Sequence, residues 1–187
     1  MPKIIKDIEE NIFKAAFELF GQYGYKETDM KKIAKNVGIA VGTLYNYYSN
    51  KKELFVSVFK KSWENTFLRI DNMLKEEIDS RDKIKILIEI LYDEISKRKG
   101  LGGELIKENI LTEKNSKELV FVMEGLLQRI LGLLKEIRCY EDIRIKEDME
   151  DRLALSIFMI IVELVKKYPN EKEKNLEFIS QLFQNIY

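Results

Sequence analysis

Between Pro2 and Pro169 the chain contains no proline. Proline ends or kinks a helix because it lacks an N–H donor and clashes with the preceding turn. A stretch this long without one, rich in Lys, Glu, Leu and Ile, lets helices form throughout. The apolar residues agree, recurring at three- and four-residue steps rather than alternating. Ile8, Ile12, Ala16, Leu19 and Tyr23 make one such stripe, with helix onset expected near Ile4 and a stop at Gly24. Ile84, Leu87, Ile88, Leu91 and Ile95 make another, and Leu126, Ile130 and Leu134 a third. No segment reads as a strand. The expected fold class is all-α.

Several classes of chemistry are excluded by what is missing. The 187 residues include no histidine and one cysteine, Cys139. Imidazole-based nucleophile pairs, general bases and zinc sites therefore have no residues to use. No disulfide can form within the chain. The 32 Asp and Glu residues read as the solvated faces of helices. No enzyme activity, metal or cofactor is expected. The most apolar stretch, Leu153–Val165, is too short to span a bilayer. Met1 leads directly into a charged, periodic segment without a secretory signal. A cytoplasmic location is expected.

Charge is balanced in total but not along the chain, with 32 basic and 32 acidic residues. Residues 1–63 hold eleven lysines against seven carboxylates, and the remainder is acidic by the same margin. A basic head on an acidic body suits a polyanionic partner for the head.

The segment 28–54 is the most specific. Thr28 is the expected N-cap of a short helix, with Asp29 in its first turn. Ile33, Ala34 and Val37 form the inner face, and Gly38 ends it. A second short helix is expected over Val41–Tyr48. Asn50 and Glu53 then have capping-box spacing, opening a long helix expected to reach about Asp79. Two helices can cross closely when a small residue, a positive-φ residue and an apolar anchor are correctly spaced. Ala34, Gly38 and Leu44 meet that need. With Leu44 and Tyr48 turned inward, Thr43, Tyr45, Asn46 and Tyr47 are left outside. Tyr and Thr hydroxyls donate to phosphate oxygens, and a tyrosine ring packs on a thymine methyl. Gly42 gives the backbone clearance to approach DNA. Lys51 and Lys52 sit in the first turn of the next helix, where a phosphate would offset the unfavourable dipole.

The elements Gly24-Tyr25-x-x-Thr28, Ile33-Ala34-x-x-x-Gly38, Gly42-Thr43-Leu44-Tyr45-x-Tyr47 and Asn50-Lys51-x-Glu53-Leu54 occur in order. Together they resemble the N-terminal domain of TetR-family transcriptional repressors. The resemblance implies an N-terminal three-helix helix-turn-helix domain, residues 1–50, and a C-terminal helical ligand-binding and dimerisation domain, residues 51–187. It implies a homodimer on an inverted-repeat, double-stranded DNA operator, with recognition helices roughly 34–36 Å apart, released by a small-molecule inducer. A regulator controlled by a protein partner or by its own abundance is the alternative. Thr28, Lys31, Val41, Gly42, Thr43, Tyr45, Tyr47 and Lys51 match positions that often touch DNA in the family. The recognition helix carries no arginine, so thymine-methyl contacts, phosphate contacts and DNA shape are expected to outweigh bidentate guanine readout.

Beyond that domain the signals are compositional. Leu153–Val165 is apolar nearly all round, as if serving its own core and a partner. With Leu176, Ile179, Leu182, Phe183 and Ile186 it is expected to form a four-helix dimer interface. Trp63, Phe67, Tyr92, Phe121 and Met123 are the candidate lining of an inducer pocket, for which core packing is the competing reading. The acidic balance favours a small apolar or cationic inducer over an anion.

Overall fold

The computed structural model describes residues 7–98, 101, 113–140 and 149–183. Among them lie eight helices and no strand: α1 (Ile8–Glu27), α2 (Met30–Val37), α3 (Val41–Tyr47), α4 (Lys51–Leu74), α5 (Ser80–Lys97), α6 (Glu113–Tyr140), α7 (Glu150–Lys167) and α8 (Lys172–Phe183). The all-α expectation holds. The expected onset near Ile4, the side chain of Cys139 and Ile186 lie outside the described residues.

Two compact units emerge. The first comprises Met1–Trp63 with Arg98–Leu119, the second Glu64–Lys97 with Val120–Tyr187. The boundary expected after residue 50 coincides with the start of α4, and α4 contributes residues to both units.

In the first unit α2 packs against both α1 and α3. Ile12, Ala15, Ala16 and Phe20 of α1 are buried with Met30, Ile33, Ala34, Leu44, Leu54, Phe55, Val58 and Phe59. Phe20 meets Phe55 edge-on at 4.8 Å, and Tyr25 meets Phe55 at 5.1 Å. Such aromatic pairs contribute about 0.5–1.5 kcal/mol beyond the area they bury. The stripe therefore runs through Phe20, and Tyr23 stays half exposed. Gly24 breaks the regular helix where a stop was expected. It adopts φ 75°, ψ 177° as a kink, and helical turns resume to Glu27.

In the second unit α5 packs on α7 and α8, and α7 packs on α8. Ile84, Leu87, Ile88 and Leu91 of α5 are buried, as the periodicity predicted. Val122, Leu126, Ile130, Leu133 and Leu134 form the inner face of α6, and Ala154, Ile157 and Ile161 that of α7. A polar tie crosses this core: Asn175 Nδ2 donates to the Tyr92 hydroxyl at 2.7 Å and to the Tyr168 carbonyl at 2.9 Å. Lys172 pairs with Asp93 at 2.6 Å beside it.

Candidate nucleic-acid interface

The start of α2 differs from expectation. The cap is Asp29, whose Oδ1 accepts from the Lys32 amide at 2.7 Å. Thr28 is fully buried, and its hydroxyl donates to the Leu19 carbonyl at 3.0 Å. Both residues suit a cap, but the hydroxyl of Thr28 is used to close the end of α1. Its side chain is thereby withdrawn from the surface where a DNA contact was expected.

The turn follows the expected chemistry. Gly38 has φ 78°, ψ 31°, the left-handed conformation that glycine adopts without steric cost. Its N–H reaches the carbonyls of Ala34 and Lys35, and the Ile39 N–H bonds Ala34 O at 3.0 Å. This is a Schellman ending, which satisfies the last carbonyls of the helix. Ala34 is buried at the crossing and Leu44 has no exposed surface. Leu44 is the single fully buried residue of α3 and its main anchor in the core.

The other residues of α3 form a tyrosine-bearing face. Tyr45 is 49% exposed and Tyr47 39%. Gly42 and Asn46 are also exposed, while Val41, Thr43 and Tyr48 are half-buried. A Cβ placed on Gly42 would meet nothing within 4 Å in the protein. Lys31 and Lys35, four apart on α2, are exposed. Behind Tyr47 lies a cavity of about 400 Å³ lined by Asp7, Ile8, Glu9, Glu10 and Lys61. Lys61 binds Glu10 at 2.9 Å and holds its carboxyl below the usual range.

Lys51 is placed unexpectedly. Its Nζ donates to the carbonyls of Tyr25 at 2.7 Å, Thr28 at 3.0 Å and Lys26 at 3.3 Å. It also lies over the Tyr25 ring, 4.2 Å from the centroid. The cation is thus turned onto its own protein. The capping box beside it forms with one change. Glu53 N–H donates to Asn50 Oδ1 at 2.9 Å, but the Glu53 carboxylate reaches back to the amide and hydroxyl of Ser49 rather than to Asn50.

Of the five candidate ligand residues, one lies in the first unit and four in the second. Trp63 belongs to the first unit, where the Arg98 guanidinium stacks on it at 4.2 Å. Tyr92 is buried and its hydroxyl is bonded to Asn175. Phe67 is buried against Phe121, 6.2 Å between centroids, while Phe121 is 45% exposed and Met123 half-buried. The sequence reading missed Arg129. It stacks on Phe67 at 4.2 Å and makes a two-pronged pair with Asp71 at 2.7 and 2.6 Å. It borders a groove of about 480 Å³ with Leu74, Gln128, Gly132, Leu133 and Glu136. Arg129 and Asp71 are 58 residues apart, on different helices, so no spacing rule could have joined them.

On α7 and α8 the apolar surplus lies outside. Leu155 and Met159 on one, Phe178 and Leu182 on the other, are each between 44% and 50% exposed. Each pair is four residues apart, so each forms a stripe along its helix. Leu182 was expected to face the interface, and it is exposed here.

Comparison with known proteins separates this helix pair from an ordinary helical hairpin. The family model described as bacterial regulatory proteins, tetR family, matches residues 12–58. The fatty acid metabolism regulator protein of Bacillus subtilis (strain 168) is 30% identical over 169 residues, covering 87% of this chain and 84% of that protein. This chain belongs to the TetR family. It is a DNA-binding transcriptional regulator, with an N-terminal helix-turn-helix domain and a C-terminal helical domain. The fold agrees along the whole chain. The fatty acid degradation regulator FadR from Bacillus halodurans superimposes with a TM-score of 0.74 at 20% identity, over 98% of this chain and 96% of that one. FadR from B. subtilis in complex with stearoyl-CoA gives a TM-score of 0.72 at 24% identity, over 95% and 97%. Among the described residues, no helix of this TetR-family member is long and apolar enough to cross a membrane.

Proposed function

We propose that this regulator is a cytoplasmic, homodimeric repressor that holds an inverted-repeat operator and releases it when a long-chain acyl-CoA enters the second unit. The observation that carries the ligand class is the extent of the likeness. The match to the fatty acid metabolism regulator covers 87% of the chain, well beyond the helix-turn-helix. The B. subtilis FadR structure contains stearoyl-CoA and shares the fold. An acyl chain needs an apolar lining with few polar groups, and the second unit is rich in Phe, Leu and Ile. The acyl chain keeps the apolar character expected of the inducer, whereas the anionic coenzyme A moiety departs from the cationic or neutral charge that the acidic balance favoured.

At the DNA, Tyr45 and Tyr47 supply hydroxyls and rings, and Gly42 lets the backbone come close. Val41, Thr43 and Lys31 border the same face. The hydroxyls and Lys31 would meet phosphates, which position the protein without reading sequence. The apolar stripes Leu155–Met159 and Phe178–Leu182 are the surface for the second protomer.

The test is selection of bound fragments from genomic DNA, followed by titration of the best fragment with stearoyl-CoA, free coenzyme A and choline. Binding should fall steeply with salt as phosphate counterions are released. Stearoyl-CoA should free the DNA, and the other two should not. Retention of DNA at saturating acyl-CoA would favour control by a protein partner or by abundance. Failure to bind any fragment at low salt would refute DNA binding itself.

A further inference from the structure

The last carbonyls of a helix have no partners within it. In the short turn that follows the break at Gly24 and closes α1, four consecutive carbonyls, Tyr25 through the cap residue Thr28, accept from lysine ammonium groups. Lys32 Nζ takes Glu27 O at 2.6 Å. Lys51 Nζ takes the other three at 2.7, 3.3 and 3.0 Å. An ammonium has three hydrogens to donate, and Lys51 has three acceptors for them. The Tyr25 ring face covers it further.

Lys51 is the first residue of α4, while its acceptors precede the first residue of α2. The clip therefore closes a loop, and the whole helix-turn-helix, α2 and α3, lies inside that loop. We propose that Lys51 is a positioning residue for the recognition helix, a plug in the open end of α1, and not a phosphate contact. This inference rests on the DNA-binding reading of α3 for its consequence but not for its geometry. The clip sets the spacing between the corner that launches α2 and the helix that receives the chain after α3. Its convergent carbonyls suit a compact ammonium. The planar guanidinium fork of arginine suits a flat two-oxygen partner instead.

Two measurements on the full chain test the proposal. The first needs no DNA: brief acetylation of the wild-type protein, read by mass spectrometry. Lys51 should react roughly tenfold more slowly than the exposed Lys31 and Lys35, the factor matching one charged hydrogen bond broken before reaction. Equal rates would overturn the plug. The second uses a labelled duplex selected with the wild-type protein, titrated over a range of salt. Lys51→Met should weaken binding about tenfold with the salt slope unchanged, and Lys51→Arg should fail to restore it. A phosphate contact predicts the opposite: a slope smaller by about 0.9 for Met and full rescue by Arg. That result would overturn the proposal. A wild-type chain that binds no duplex refutes the DNA-binding reading, and the acetylation rates still decide the plug.

Discussion

Gly42 sits in the first turn of α3 with no protein atom near its missing side chain. For stability alone, glycine is a poor choice there. Replacing it with alanine removes backbone entropy from the unfolded chain, worth up to about 0.8–1.0 kcal/mol in a helix interior. Near a helix end the gain is smaller, about 0.5 kcal/mol. Nothing offsets it, because the new methyl has at least 4 Å of open space. For a chain of this size, 0.5 kcal/mol corresponds to a rise in the unfolding midpoint of about 1–2 °C. The effect on DNA should have the opposite sign. If this backbone approaches DNA closely, the methyl holds it away and strains one charge-assisted hydrogen bond. Such a bond contributes about 1.5–3 kcal/mol, so affinity should drop at least about tenfold. The assay pairs calorimetry of Gly42→Ala with fluorescence-anisotropy titration of the selected duplex at fixed salt. A variant that is more stable and binds DNA as well as the wild type would refute the clearance argument.

Two further outcomes follow from burial. Leu44→Ala removes the main anchor of α3 and should cost about 2–5 kcal/mol, with loss of DNA binding and new proteolytic cleavage between Gly38 and Asn50. Unchanged affinity would mean that α3 is held by something else. Met159→Lys combined with Phe178→Lys places charges on both exposed stripes, which should convert a dimer of twice the 22.2 kDa chain into a folded monomer by light scattering; a persistent dimer would put the interface elsewhere.

Much of the DNA-binding half was legible because its logic is local. Ala34, Gly38 and Leu44 act through spacings of four and six residues. Such spacings translate directly into a crossing, a left-handed turn and an anchor. Helix ends defined by short side chains were nearly as legible, as Asn50 and Glu53 show. The choice between Thr28 and Asp29 as the cap of α2 was not. Both have the right oxygen, and what decided it was the Leu19 carbonyl, nine residues earlier, which takes the threonine hydroxyl. The reading of the ligand residues was weakest. Aromatic residues on middle helices serve cores and pockets alike, and the hydroxyl of Tyr92 turned out to bind Asn175, 83 residues away.

The amino-acid sequence by itself determined the all-helical architecture, the helix-turn-helix and the tyrosine face of α3. Helical period, glycine conformation and short-range capping act within a few turns, so the order of residues is enough to specify them. Only the tertiary structure decided which charges face outward. Lysine is long and flexible, and its direction depends on which acceptors folding brings within reach. Lys31 meets solvent, while Lys51 reaches back 23 to 26 residues to fill the end of α1.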